Sequence, residues 1–266
     1  MTILLYLILG IIQGFTEPIP VSSSGHLIIF KHLFQIDTNN LNFEIIANFG
    51  SFLAIIYIFK NDLTKLTKNF ISYIKTKNET YKEDYKYCIL IIIGTIPAII
   101  FGFILNDYIE KYLSNIKYIG ISLLITALFL FAIRKLSGSK NNIQITYKDA
   151  IKIGLFQTAA LLPGISRSGA TLVGGMLSNL KREVAFKFSF MLYIPISLAT
   201  VILGIKDITT NKIEINLLFY YIIGGISSFI VTIFATNWFK NIMLNGKLIY
   251  FVYYCVIAGI LVILFL

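Results

Sequence analysis

Residues 10–26, GIIQGFTEPIPVSSSGH, gather a carboxylate, three consecutive hydroxyls and an imidazole in one short segment: Glu17, Ser22, Ser23, Ser24 and His26. A serine near an imidazole, with a carboxylate to orient it, is the general arrangement of an activated nucleophile. His26 follows Ser23 by three residues, so the two share a face if both are helical. Glu17 with Gln13 one turn before it is also a pair of hard-oxygen donors for a divalent cation. Residues 154–171, GLFQTAALLPGISRSGAT, supply the opposite charge. Arg167 offers a planar fork suited to bidentate phosphate binding, and Ser166, Ser168 and Thr171 add hydroxyl donors. The chemistry these residues imply is attack on a highly charged oxyanion, with Ser23, His26 or a water as nucleophile.

The two segments echo each other. With a shift of 144 residues, Gly10 falls on Gly154, Gln13 on Gln157, Ser22 on Ser166, Ser24 on Ser168 and Gly25 on Gly169. Glu17, Ser23 and His26 occur only in the first copy, Arg167 and Thr171 only in the second. Each copy is an apolar run broken by a Pro/Ser/Gly patch and then resumed. In the first, a helix of about 13 residues must end near Thr16, because Pro18 and Pro20 lack the amide donor and push the residues before them out of the helical region. The serines then cap a second short helix from about Gly25 to Phe34. In the second, a helix breaks at Pro163-Gly164, and Ser166-Arg167-Ser168-Gly169 opens another. Two short helices around a polar break predict a re-entrant hairpin, tolerated in a bilayer only where the break is buried or lines a cavity. The two helix N-termini present free amides and partial positive charge to an anion. An arginine at membrane depth costs roughly 2.5–3.5 kcal/mol, which marks Arg167 as functional.

The composition demands a membrane. Hydrophobic residues make up 57% of the 266 and charged residues 14%, against about 25% charged in a soluble domain; mean hydropathy is +0.79. Apolar runs near 43–59, 87–105, 117–134, 184–205, 217–237 and 247–266 predict six transmembrane helices. The net charge of +10 comes from lysines at helix ends; no basic stripe with interleaved aromatics calls for nucleic acid. Cys88 and Cys255 stand singly, without disulfide or metal spacing. The start MTILLYLILG lacks the basic region of a cleavable signal. Asn78-Glu79-Thr80 fits a glycosylation acceptor pattern, which chance explains.

Seven lysines in the expected loop 60–86 place it on the cytoplasmic side, the near-neutral loop 106–116 outside, and Arg134, Lys135, Lys140, Lys148 and Lys152 inside again. The first hairpin then opens at the outer face and the second at the inner face. An odd number of spans between the copies requires opposite orientations, an inverted-topology repeat of about 1–134 and 145–266 in a single membrane domain. Pro97 and Pro195 should kink their spans. Gly224-Gly225 and Ala258-Gly259 permit close helix contact, for internal packing or for a homodimer interface. His32 reads as interfacial; Glu44 and Asn48 read either as supports of the site or as a helix end.

At GIIQGFTEPIPVSSSGHL from Gly10 and LLPGISRSGAT from Leu161, with LIIIGTIPAIIFG from Leu90 and FSFMLYIP from Phe188, the chain resembles the undecaprenyl-diphosphate phosphatase family of bacterial membranes, the group known for bacitracin resistance. The resemblance covers essentially the whole length. It implies hydrolysis of a polyprenyl diphosphate lipid to the monophosphate carrier used in cell-wall synthesis. It also implies an enzyme of the bacterial cytoplasmic (inner) membrane, surrounded by membrane lipids, dependent on a divalent cation such as Mg2+ or Ca2+, with its site open to the extracytoplasmic side. The family's acidic motif falls on Gln13 and Glu17, its serine and histidine on Ser23 and His26, and its phosphate-binding arginine on Arg167 beside Ser166, Ser168 and Thr171. Gln13 stands where some members carry a second glutamate, and Pro18 where an aromatic residue is usual. The rival reading is a transporter or flippase of the lipid carrier, since inverted repeats with broken helices are common in transporters.

Overall fold

The computed structural model describes residues 2–36, 42–112, 115–210 and 215–266. Among these, the regular structure is helical: α1 (Thr2–Thr16), α2 (Ser23–Leu33), α3 (Asn42–Ile58), α4 (Lys60–Thr76), α5 (Lys82–Tyr112), α6 (Ile116–Ile133), α7 (Tyr147–Ala159), α8 (Arg167–Leu177), α9 (Arg182–Thr210), α10 (Ile215–Leu244) and α11 (Ile249–Phe265). Each of the six expected spans is a helix: α3, α5, α6, α9, α10 and α11. Four of them, α5, α6, α9 and α10, are long and apolar enough to cross a bilayer on their own. The bent pair α3 and α4 makes a fifth span if taken as one. Both α3 and α11 are 17 residues long, which is the lower limit for a crossing.

Two connections differ from expectation. The segment 60–86, expected as a basic loop, is mostly helix: α4 turns away from α3 by 73°. Its apolar residues Leu63, Leu66, Phe70 and Tyr73 recur at helical spacing, and Phe70 and Tyr73 pack their rings on Tyr85 at 5.2 and 4.6 Å. Four of the lysines that suggest a loop, Lys60, Lys65, Lys68 and Lys75, occupy the solvated face of this amphipathic helix. The loop expected over 106–116 is largely taken up by α5, which runs to Tyr112; its residues 113–114 lie outside the described ones. Pro97 and Pro195 lie inside α5 and α9 without ending either helix.

Both broken segments fold as helix–break–helix, α1–α2 and α7–α8. The first break is buried, with Ile19 and Val21 packed into the main core beside Phe52, Leu172 and Tyr193. Its backbone finds partners inside the protein, as burial requires. Ser168 Oγ donates to the Ile19 carbonyl at 3.2 Å. In the second break, Thr126 Oγ1 donates to the Gly164 carbonyl at 3.4 Å and accepts from the Ser166 amide at 3.2 Å. The breaks also interlock pairwise. A Cβ on Gly25 would sit 3.0 Å from the Gly164 Cα, and a Cβ on Gly169 would sit 3.3 Å from the Pro20 Cβ. Residues 20 and 164, like 25 and 169, are 144 positions apart, so the two contacts are equivalent under exchange of the copies.

The surrounding helices repeat this exchange. Helix α1 packs on α10 and α7 on α5, each through a glycine pair whose backbones touch. A Cβ on Gly10 would lie 2.1 Å from the Gly224 carbonyl oxygen, and one on Gly154 would lie 2.3 Å from that of Gly94, closer than atoms approach. Gly225 meets Gly50 and Gly259 meets Gly120 in the same way. The small-residue runs therefore serve internal packing, bringing helices close enough for dispersion contacts and short hydrogen bonds. One such bond joins Ser51 and Ser228 at 2.8 Å, and Thr232 donates to the Gly14 carbonyl at 3.1 Å.

Candidate active site

Each hairpin delivers a helix N-terminus to the junction. Ser22 caps α2 by accepting from the Gly25 amide at 3.3 Å, and Ser166 caps α8 by accepting from the Gly169 amide at 3.1 Å. The expected caps are thus in place, with α2 beginning at Ser23 rather than Gly25. Between the two N-termini lies a small cavity of about 60 Å³ lined by Glu17, Ser22, Ser23, Ser24, Ala160, Ile165, Ser166 and Arg167. That is room for about four waters, in a space bounded by two helix dipoles, one carboxylate and one guanidinium. A larger cavity of about 500 Å³, where α4, α5 and α9 begin, contains none of the expected site residues.

Glu17 is the hub. Its Oε1 accepts from Arg167 Nη2 at 2.6 Å, and its Oε2 accepts from Gln13 Nε2 at 3.0 Å and from the Ser23 hydroxyl. Gln13 reaches it because the α1 ladder persists one residue past the helix, with the Glu17 amide donating to the Gln13 carbonyl at 2.9 Å. In the second copy position 161 is leucine, and the amide of the counterpart Gln157 is buried with no hydrogen-bond partner among the described residues. The two segments share the amide, and one of them has the carboxylate.

Arg167 is held from two sides. Its guanidinium lies over the Tyr193 ring, 3.7 Å from the centroid, a cation–π contact strengthened by burial. Tyr193 in turn donates to Asn48 Oδ1 at 3.4 Å, so Asn48 supports the site through Tyr193. Glu44 does not: it pairs with the buried Lys31 at 2.6 Å and ties α2 to α3. His32 is exposed.

Three expected site residues are placed otherwise than the sequence implied. His26 makes no hydrogen bond to Ser23: its Nδ1 is 2.7 Å from the Ser22 carbonyl oxygen and its Nε2 is 2.6 Å from the Tyr254 hydroxyl on α11. With Ser22 capping the helix, residue 26 lies over its own N-terminus and faces α11 instead of the cavity. Ser168 is used to hold the first break. Thr171 donates to the Arg167 and Ser168 carbonyls at 3.0 and 3.2 Å and contacts the Ser189 hydroxyl, so it clips α8 to α9. Glu17, Ser22, Ser23, Ser24, Ser166 and Arg167 are brought together as expected. Tyr193 and Tyr254 were missed; the first sits in the FSFMLYIP stretch, and the second is one of three tyrosines in an apolar span.

No group of three or more histidine, cysteine, aspartate or glutamate side chains among the described residues converges to hold a metal ion. The donor set lining the junction is one carboxylate, Glu17, and the hydroxyls of Ser22, Ser23, Ser24 and Ser166, with Gln13 bonded to Glu17 through its amide nitrogen. Such a set suits a hard cation that completes its shell with water and phosphate oxygens, the habit of Mg2+, rather than a metal in a protein cage.

Comparison with known proteins shows the family. The family model described as bacitracin resistance protein BacA matches residues 6–261. The chain is 50% identical over 264 residues to undecaprenyl-diphosphatase 2 of Bacillus thuringiensis (strain Al Hakam), covering 99% of this chain and 98% of that one. It is 46% identical over 261 residues to undecaprenyl-diphosphatase 1 of Bacillus licheniformis, covering 98% and 97%. With the undecaprenyl-diphosphatase of Oceanobacillus iheyensis it shares 44% over 267 residues, covering 100% and 97%. A match of this extent, carried by a chain whose two broken hairpins close on Glu17 and Arg167, makes this protein a member of the BacA bacitracin resistance family.

Proposed function

We propose that this chain is a multi-pass membrane phosphatase that hydrolyses undecaprenyl diphosphate to undecaprenyl phosphate and inorganic phosphate, recycling the lipid carrier of cell-wall synthesis and so conferring bacitracin resistance. The observation that carries the reading is the continuous link Arg167–Glu17–Ser23 across the two hairpins. An anion-binding fork and a proton acceptor on a hydroxyl stand at one cavity. Binding alone has no use for the second.

Arg167 and the amides opening α2 and α8 hold the terminal phosphate, with Ser22, Ser24 and Ser166 as further donors. The Glu17 carboxylate takes the proton of the attacking hydroxyl, which belongs to Ser23 or to a water in the same cavity. The new P–O bond forms at the terminal phosphorus as the bond to the bridging oxygen breaks, and undecaprenyl phosphate leaves with the electron pair. If Ser23 attacks, water then releases phosphate from the phosphoserine. Gln13 and Glu17 would hold a divalent cation, Mg2+ or Ca2+, whose chemistry here is to neutralise the diphosphate oxygens. The isoprenyl tail lies among membrane lipids. The family resemblance implies the cytoplasmic membrane with the cavity reached from the extracytoplasmic side; the lysine pattern bears on the orientation of the connections alone.

The transport reading uses the same anion cradle but gives the Ser23–Glu17 bond no task, and the relatives' names favour hydrolysis. Phosphate release from undecaprenyl diphosphate by purified protein in detergent micelles, with and without chelator, tests the proposal. Hydrolysis that stops with chelator supports it. Absence of release with every divalent cation supplied contradicts it, because micelles have no second side to transport to.

A further inference from the structure

Both ring nitrogens of His26 are committed, and one fixes the role of the other. Nδ1 lies 2.7 Å from the Ser22 carbonyl oxygen, which can only accept, so Nδ1 carries the proton. In the neutral ring Nε2 is then a bare acceptor, and the Tyr254 hydroxyl 2.6 Å away donates to it. The two rings stack at 5.6 Å with 15° between their planes. Tyr254 comes from α11, far along the chain, and is exposed while the imidazole is buried.

The recipient of the Nδ1–H bond is itself unusual. Ser22 has φ +69°, a left-handed conformation that a non-glycine residue keeps only where its surroundings over-determine it. Its carbonyl also accepts the His26 backbone amide at 3.2 Å. This turn carries the chain from the buried break into α2 and sets the next side chain, Ser23, on Glu17. Ser166 at the equivalent place has φ −73° and is followed by an arginine that reaches Glu17 without such a turn. The strained conformation and the imidazole that pins it occur together, in one copy only.

We propose that His26 is a positioning residue: Tyr254 holds it in the Nδ1–H form, and it clamps the Ser22 carbonyl so that the Ser23 hydroxyl meets Glu17. The proposal rests on the hydrolytic reading of Glu17 and Ser23, and its test separates the two. The chain has two histidines, His26 and His32, so 15N-histidine labelling gives two imidazoles, and a His32→Gln background leaves His26 alone. The expected spectrum has a protonated Nδ1 and a bare, hydrogen-bonded Nε2. In Tyr254→Phe the Nε2 resonance moves as its donor is lost, and kcat falls about tenfold, the scale of one hydrogen bond, with KM little changed. In His26→Asn the amide nitrogen takes the place of Nδ1, so activity stays within about tenfold of the native protein, while His26→Gln and His26→Ala lose about a hundredfold more. A His26→Asn protein that is folded yet as inactive as His26→Ala makes His26 a proton-transfer group and overturns the proposal; so does an Nε2–H form in the native spectrum. Failure of the native protein to release phosphate overturns the hydrolytic reading and leaves the nitrogen measurement standing.

Discussion

Arg167 and Glu17 are 150 residues apart in sequence and 2.6 Å apart in space, the guanidinium donating to the carboxylate across the junction of two hairpins. Each charge is largely withdrawn from solvent, and either alone at this depth would be costly. Paired, they latch the hairpins together and hold the anion site ready. In the proposed mechanism a diphosphate takes up the same guanidinium fork, so its entry would exchange one carboxylate partner for a phosphate and free Glu17 to accept a proton.

Glu17→Gln keeps the shape of this hub and removes both the proton acceptor and the carboxylate proposed to hold the cation. We expect kcat to fall by about 10²–10⁴, the usual contribution of a general base, with KM changed far less. Steady-state kinetics on a short-chain prenyl diphosphate measures both. A kcat within tenfold of the native value would place the base elsewhere.

Tyr193 supports Arg167 with its ring, while its hydroxyl bonds Asn48 at 3.4 Å and Ser197. Tyr193→Phe therefore stays within about threefold in kcat/KM. Tyr193→Leu loses roughly tenfold, the scale of a partly desolvated cation–π contact. Equal losses in the two variants would mean that the hydroxyl, and not the ring, matters.

Gly10 and Gly154 are equivalent contacts in the two copies, each against a backbone carbonyl. Valine at either position forces α1 from α10 or α7 from α5, an overpacking cost of about 1–3 kcal/mol or more. Thermal denaturation in detergent should show both variants melting several degrees lower, by similar amounts. A large loss in one and none in the other would argue against equivalent packing.

Asp149 lies in the first turn of α7, beside the polar connection that precedes it. Burial works to raise its pKa, but both Lys140 contacts, at 3.0 and 2.9 Å, and the Thr146 capping bonds outweigh it and leave the pKa lowered. A carboxyl with a lowered folded-state pKa contributes stability that is present above its unfolded value and lost as pH falls through the folded one. Asp149→Asn should lower the melting temperature at neutral pH, and the difference should shrink as acid titrates the native carboxyl. A gap that is constant with pH would assign the effect to helix capping alone.

The apolar helices and the caps were legible because each is local. Ser22 and Ser166 sit three residues before the glycine amides they cap, and Pro18 and Pro20 stop α1 by their own chemistry, whereas α7 ends at Ala159, four residues before Pro163. The meeting of the two breaks at one site followed from the repeat, since two breaks in one membrane domain have to be buried against something; the direct bond between Arg167 and Glu17 did not. What escaped depended on long-range packing. Tyr254 reaches His26 over 228 residues, and nothing in YFVYY separates it from Tyr250 or Tyr253. The lysines of α4 hid the apolar spacing beneath them. His26 was read toward Ser23 from helical spacing alone, whereas the left-handed turn at Ser22 directs it toward α11.

The most direct test of the account is phosphate release from undecaprenyl diphosphate in detergent by the native protein and by Arg167→Ala, both shown to be folded by their melting curves. The account predicts cation-dependent release by the native protein and a loss of about 10³-fold in kcat/KM in the variant, as expected for a guanidinium that stabilises a transferring phosphoryl group. Release by Arg167→Ala at the native rate would contradict it, because the anion would then be held by something other than the junction of the two hairpins.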